Sequence, residues 1–319
     1  MPGTEKSTLN LTRFDNLPVL PYDKSVVTIG NFDGVHRGHQ FIINEIGQKS
    51  FSNEMPSIVI TFFPNPADFF GRTQEPYYLT TPEEKTSLIK AMGVDEVITF
   101  QFDREFASLS PEDFLQTLKE KLGLQVLIVG NNFALGKNRV GTIPVFEQIG
   151  EEIGFTVEAL NPVELGGGEI SSTRIRQALD EGDMRSAMEM LGRPYSVNGP
   201  VTSGSDRGSR IGLPTANLDH WPRKKLPAIG VYATQPIFHG KTYYGITNVG
   251  LRPTFEYQEK PNIETHILDF DGNIYGEHLE LKFIEKIRDE QKFSGVETFL
   301  AQIERDKATA RRIFSHDQT

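Results

Sequence analysis

The sequence of 319 residues contains no cysteine. Disulfides, thiolate metal sites and cysteine nucleophiles are excluded by that absence alone. Nor is there an unbroken run of about 18 apolar residues, the length that a membrane-crossing helix needs. The opening segment MPGTEKSTLN lacks the apolar core of a secretory signal, so a cytoplasmic location is expected. Positive charge is in deficit: 33 Lys and Arg against 43 Asp and Glu leave a net charge of −10. Phosphate-backbone binding needs a basic footprint, so neither nucleic acid nor membrane is expected as a partner. A nucleotide substrate stays open, because helix N-termini and a few cations can hold phosphates in an acidic protein. With 37% hydrophobic and 24% charged residues, the composition is that of a folded chain, and its length suggests roughly two domains.

The first half alternates β-branched runs with helical stretches. Strands are expected at Ser25 to Phe32, Ser57 to Phe63, Glu96 to Phe100, Gln125 to Gly130 and the FTVEAL segment. Helix starts are marked by Thr81-Pro82-Glu83-Glu84 and Ser110-Pro111-Glu112-Asp113, each with a hydroxyl cap, Pro at the first turn and early acids. Buried strands alternating with helices imply a parallel sheet covered on both faces. Helical segments then run from about Ser172 to Leu191, and Gly192-Arg193-Pro194 ends them. Beyond Pro194, short strand candidates separated by Gly, Pro, Asn and Asp imply an antiparallel sheet or small barrel, followed by a helix from Gly295 to about Phe314. The domain boundary is therefore expected at Gly192, giving domains 1–192 and 193–319.

Gly30-Asn31-Phe32-Asp33-Gly34-Val35-His36-Arg37-Gly38-His39 sits where the first strand hands over to a helix. Ligands of open α/β sheets bind at the carboxyl ends of the strands. Two histidines three residues apart can share one helix face and donate to phosphate oxygens. The alternative is that both are ordinary surface or capping residues. Zinc would need a third ligand, and no further His lies in this half. Gly130-Asn131-Asn132-Phe133 follows the fourth strand, where Asn can bond a nucleotide or close a turn. Ile170-Ser171-Ser172-Thr173-Arg174-Ile175-Arg176 places hydroxyls and cations at a helix start; it suits a triphosphate, or is an N-cap with two solvated arginines.

In the second half, Gly212-Leu213-Pro214-Thr215-Ala216-Asn217 follows a Gly/Ser/Arg-rich loop whose backbone could close over phosphates. A Thr hydroxyl and an Asn amide oxygen are hard ligands suited to Mg²⁺, or else a turn with a capping Asn. Asn248-Val249-Gly250-Leu251-Arg252-Pro253-Thr254-Phe255, Ile263-Glu264-Thr265-His266-Ile267-Leu268 and Ile287-Arg288-Asp289-Glu290-Gln291-Lys292-Phe293 lie further on. Glu264 could point into a site or face solvent, and on alternation alone solvent exposure is the commoner outcome.

The H-x-G-H and ISSTRIR segments resemble the nucleotidyltransferase superfamily. The longer string GNFDGVHRGHQ, together with the G-x-P-T-A-N, N-x-G-x-R-P-T-F, E-x-H-I-L and I-R-x-E-x-K-F motifs, resembles bacterial bifunctional riboflavin kinase/FAD synthetases from about Val26 to Asp306. That resemblance implies a Rossmann-like parallel sheet for FMN adenylylation and a small antiparallel β-barrel with a terminal helix for riboflavin phosphorylation. ATP, riboflavin and FMN would be the substrates and Mg²⁺ the cofactor. It further implies catalytic roles for Glu264, His36, His39 and Arg176. Phosphate binding would fall to Gly30, Phe32, Asp33, Gly38, Asn132, Ser172, Thr173, Gly204 and Gly212, flavin contact to Asn65, Arg252 and Arg288, and metal binding to Thr215 and Asn217. The chain departs from the family at Asn65, where His is usual, and at Leu135, where an aromatic is. Its kinase loop reads Gly208-Ser209-Arg210-Ile211-Gly212-Leu213 instead of G-R-x-L-G-F. The competing readings are another H-x-G-H transferase fused to an unrelated β domain, a chain that has lost one activity, and a non-catalytic flavin-binding protein.

Overall fold

The computed structural model describes residues 10–136, 140–202, 213–252 and 260–316. The chain separates into two compact units, residues 1–74 with 78–172 and residues 75–77 with 173–319.

In the first unit, β1 (Ser25–Ile29), β2 (Ser57–Phe63), β3 (Glu96–Gln101), β4 (Leu124–Gly130) and β5 (Thr156–Leu160) form one sheet in the order β3-β2-β1-β4-β5. Every neighbouring pair is parallel. Both faces are covered, and alternation along the strands divides the core accordingly. Val27, Ile29, Ile58, Ile60, Leu127 and Val129 join one apolar cluster, whereas Val26, Val59, Val126 and Ile128 join the other. β1 ends at Ile29, three residues before the end expected from the sequence, and α1 (Arg37–Asn53) begins ahead of His39. α2 (Pro66–Phe69), α3 (Pro82–Lys90), α4 (Arg104–Ala107), α5 (Pro111–Leu122) and α6 (Ile143–Ile153) connect the strands, and β6 (Glu164–Leu165) pairs with β7 (Gly168–Glu169). The expected helix starts operate as capping chemistry dictates. Thr81 Oγ1 accepts from Glu84 N–H at 3.1 Å while Glu84 returns a carboxylate to Thr81 N–H at 2.8 Å. Ser110 Oγ accepts from Asp113 N–H at 3.0 Å. α5 stops at Gly123, where φ is +67° and any Cβ would collide with the Tyr22 carbonyl.

In the second unit, α7 (Ser172–Glu181) and α8 (Met184–Leu191) precede the strands. They are separate helices because Asp183 opens a new one, its carboxylate accepting from Ser186 N–H at 2.9 Å. α8 packs on the barrel strands β8 (Tyr195–Thr202) and β14 (His278–Arg288). With β9 (Ala216–Leu218), β10 (Gly230–Phe238), β12 (Gly245–Arg252) and β13 (Lys260–Ile267), those strands close a six-stranded antiparallel barrel in the order β10-β12-β13-β9-β8-β14, and β10 pairs back onto β14. The short β11 (Lys241–Thr242) adds to β10. Inside, Thr234, Thr247 and Thr265 link three strands through hydroxyl contacts of 2.7 Å each, so their buried oxygens are satisfied.

α9 (Val296–His316) packs Ile303, Ala310 and Phe314 with Leu213, Ala233, Ile246 and Leu268. Its anchor is Asp306, 1% exposed, which takes Arg288 Nε and Nη2 at 3.0 and 2.8 Å and Gln302 Nε2 at 2.8 Å. Among the described residues no helix is long and apolar enough to cross a membrane. Replacing Asp306 with Ala strands the Arg288 guanidinium against the barrel wall. The unfolding transition of the second unit should lose about 3–5 kcal/mol, measured by denaturant titration. Asp269→Ala, which breaks the exposed Asp269–Arg311 pair, should leave that transition in place.

Candidate functional sites

The order of the parallel sheet reverses between β1 and β4, so a crevice opens at the carboxyl ends of those two strands. The sequence motifs fall on both sides of it. After β1 the chain turns through Phe32 (φ +48°), Gly34 (φ +83°) and Val35 (φ +39°), then enters α1 at His36. Positive φ at a bulky and at a β-branched residue is strained, and something must hold it. Asp33 does so: its buried carboxylate accepts from Leu79 N–H at 3.0 Å and from Thr80 N–H and Oγ1–H at 3.1 and 3.2 Å. Thr80 Oγ1 also takes Gly34 N–H at 3.1 Å. Phe32, expected to bind phosphate, lies in the core 1% exposed and meets the His39 ring edge-on, with centroids 5.1 Å apart. Asp33 and Phe32 therefore shape the turn from below.

His36 caps α1, its Nδ1 accepting from His39 N–H at 3.3 Å, and so carries any neutral-state proton on Nε2. The two imidazoles stack with centroids 3.6 Å apart and planes 18° from parallel. That approach needs Gly38, since a Cβ there would stand 3.2 Å from the His36 ring. His39 Nδ1 is buried without a hydrogen-bond partner. Burial first, then the neighbouring His36 and Lys85, hold the His39 pKa well below the usual imidazole value. At neutral pH His39 is thus a neutral ring that donates one N–H.

Ser172 Oγ donates to the Asp33 carbonyl at 2.9 Å, which ties the head of the ISSTRIR segment to the same turn. Asn132, after β4, is exposed, its Nδ2 3.5 Å from Glu169. Thr173 and Arg176 belong to the second unit. There the Arg176 guanidinium lies 3.7 Å over the Tyr77 ring, and its Nε donates to the Tyr77 carbonyl at 2.8 Å. Asn65, at the end of β2, caps α2 through Ala67 N–H at 2.9 Å. The helix it caps forms one wall of an open cavity of about 410 Å³ that composition did not single out. Phe69, Phe70, Phe102, Phe106 and Phe114 line it, with Arg72 beside them. The only advance signal was the density of Phe in DFF, QFDREF and SPEDF. Leu135, the position lacking the family aromatic, lines it too.

In the barrel unit, register brings together what the sequence left apart. Glu264 on β13 stands opposite Asn217 on β9 and opposite Asn248 on β12. Directly paired residues share a face, so the three form one polar row. Glu264 is half-buried, not turned out to solvent, and its Oε1 accepts from Asn262 Nδ2 at 2.8 Å. Asn248 donates to Glu290 at 3.2 Å. Asn248 and Glu290 stood in the quoted motifs, but only the register sets Asn248 beside Glu264, with Glu290 bonded to Asn248. Two residues along β13, a ring N–H at His266 Nδ1 donates to the Pro214 carbonyl at 2.9 Å and fixes the turn that leads to Thr215. Asn217 is buried and Thr215 half-buried. Their oxygen donors fit a hard cation that draws its other ligands from phosphate and water. Among the described residues, no cluster of three or more His, Asp or Glu could hold a metal unaided. Arg288 is committed to Asp306 and to the Asp289 carbonyl. Gly204 and Gly212 lie outside the described residues, as does the side chain of Arg252.

Two family models match in succession, FAD synthetase over residues 21–174 and riboflavin kinase over residues 191–314. The bifunctional riboflavin kinase/FMN adenylyltransferase of Escherichia coli K12 is 37% identical over 301 residues, covering 94% of this chain and 96% of that protein. The Bacillus subtilis protein of the same name is 37% identical over 314 residues, covering 97% and 98%. A crystal structure of a Streptococcus pneumoniae protein, described as a macrolide-efflux protein, matches with a TM-score of 0.86 at 31% identity, over 94% of this chain and 97% of that one. The chain belongs to the bifunctional riboflavin kinase/FMN adenylyltransferase family.

Proposed function

We propose that this chain phosphorylates riboflavin with ATP to give FMN and ADP in residues 193–319, and adenylylates FMN with a second ATP to give FAD and pyrophosphate in residues 1–192. The observation that carries the reading is the register that sets Glu264 between Asn217 and Asn248. An H-x-G-H transferase fused to an unrelated β domain has no use for that row.

In the barrel, Glu264 accepts the proton of the riboflavin 5′-hydroxyl as its oxygen attacks the γ-phosphorus of ATP and the bond to ADP breaks. Thr215 and Asn217 would hold Mg²⁺, which would neutralise phosphate charge, and His266 keeps their turn in place. By resemblance to the family, Gly204 and Gly212 are assigned to phosphate binding and Arg252 and Arg288 to the flavin. In residues 1–192 an FMN phosphate oxygen attacks the α-phosphorus of ATP and pyrophosphate leaves. That oxygen is already nucleophilic, so the site needs charge stabilisation more than a base. His36, His39 and Arg176 supply it, together with Gly30, Gly38, Asn132, Ser172 and Thr173, and a second Mg²⁺ would add further charge neutralisation; Asp33 and Phe32 hold the turn. The isoalloxazine of FMN fits the aromatic cavity beside the helix that Asn65 caps, since stacking on Phe side chains suits a flat ring. The protein acts in the cytoplasm on small molecules, with no nucleic-acid or membrane partner.

Both activities reside in one chain, so each serves as a folding control for the other. Glu264→Gln should lower FMN formation from riboflavin by about 10²–10⁴-fold and leave FAD formation from supplied FMN unchanged. Both are read by chromatography of flavins over time. The double variant His36→Ala/His39→Ala should do the reverse, costing FAD formation about 10²–10³-fold with kinase turnover intact. Kinase turnover at the parental rate in the Glu264→Gln variant would remove Glu264 from the mechanism.

A further inference from the structure

Lys85 stands at the fourth position of α3, where a solvated cation would be ordinary. Its ammonium is instead buried under the carboxyl edge of the sheet. All three of its N–H groups have acceptors: the Asn31 carbonyl at 3.0 Å, Thr61 Oγ1 at 2.8 Å and the Phe62 carbonyl at 3.1 Å. Thr61 Oγ1 in turn donates to the Asn31 carbonyl at 3.0 Å. The ammonium thereby bridges the loop after β1 and the end of β2. It borders a small cavity whose lining combines Asn31, Asp33 and Thr80 with Phe62, Phe63 and Pro82.

This placement is costly twice over. Burial penalises the charge, and the N-terminal end of a helix is the wrong end for a cation. A methionine would fill the same space without either penalty. A cation is worth keeping there if anions approach, and two of them, FMN and a triphosphate, must meet at this edge.

We propose that Lys85 is a positioning residue for adenylyl transfer, its ammonium fixing the Asn31 and Phe62 carbonyls and supplying a buried positive charge beneath the two phosphates. The proposal rests on the adenylyltransferase reading of the first unit. The groups that face the ammonium are Asp33 in the turn after β1, which favours its charge, His39 on α1, whose own protonation it opposes, and the Thr61 hydroxyl on β2. On its own helix, the Glu84 carboxylate is turned back to Thr81 N–H. Burial outweighs the help of Asp33 and lowers the pKa from the ordinary 10.5 to about 8. The charge is therefore complete below about pH 8 and lost as pH rises through it. Stability moves the other way: between about pH 8 and 10.5 the unfolded chain binds more protons than the folded one, so this group makes stability rise with pH. A merely structural lysine would show the stability change without an activity change.

The test compares the parent, Lys85→Met and Lys85→Arg in the full chain, from about pH 6 to about pH 10. It follows FAD formation from FMN and ATP with Mg²⁺, FMN formation from riboflavin in the same preparation, and thermal melting. In the parent, FAD formation should fall with an apparent pKa near 8 while kinase turnover does not share that fall. Lys85→Met should lower kcat for FAD by about a hundredfold with kinase turnover unchanged. Lys85→Arg, whose guanidinium stays charged throughout, should keep FAD formation and lose the alkaline fall. A Met variant that makes FAD at the parental rate overturns the proposal. Where the Met variant does not fold, an alkaline fall that persists in the Arg variant overturns it equally. A parent that forms no FAD from FMN at any pH would instead sink the adenylyltransferase reading itself.

Discussion

The first unit depends on holding a strained turn at the point where its sheet changes direction. Phe32 and Val35 sit at positive φ, a backbone state that costs of order 1–3 kcal/mol per residue. A loop free to relax would release it. The Asp33 carboxylate, clamped by the Leu79 and Thr80 amides, prevents that. What the clamp secures is the entry angle of α1. That angle sets His36 as cap and His39 as its stacked neighbour, with Gly38 leaving room for the two rings. Strain, clamp and histidine pair form one unit, because loosening any of them moves the two rings.

Charge is then managed by burial instead of by number. The chain is acidic overall, with a net charge of −10, yet both reactions use anionic ATP and one brings two anions together. In the first unit the answer is a few oriented donors: a helix N-terminus, neutral imidazole and hydroxyls. Such groups cost little to desolvate and need no reorganisation as charge develops. In the barrel, donors and acceptors are set by strand pairing. The row from Asn217 through Glu264 to Asn248 owes its geometry to backbone ladders on both sides, which hold side chains more firmly than a loop would.

Much of this was legible in the sequence. The buried β-branched runs, the Thr81 and Ser110 caps and the turn-rich character after Pro194 specify the parallel sheet, the helix starts and the barrel through local chemistry alone. So do the two motif sets, which carry their residue types at fixed spacing. What could not be read depends on contacts distant in sequence. Asp33 also anchors the turn, through partners more than forty residues away. Asn65 also caps a helix. The Arg288 guanidinium is also held by Asp306. Lys85, in PEEKTSLIK, has the pattern of a solvated helix face; only the fold turns it inward. The aromatic cavity gathers Phe residues from several elements, each of which alone would pass for core.

The contrast between the two sites follows from their nucleophiles. A ribityl hydroxyl is a weak nucleophile at neutral pH and must lose its proton as it attacks, a demand that the role proposed for Glu264 meets. The phosphate of FMN needs no deprotonation but repels the triphosphate it must approach, a demand that the donors proposed in the parallel-sheet unit meet. A single site would have to satisfy both demands. A carboxylate placed for the first reaction would repel the anionic nucleophile of the second, and cations placed for the second would hold a carboxylate in ion pairs during the first. Two units in one chain avoid that conflict, and each half is built for the charge of its own acceptor.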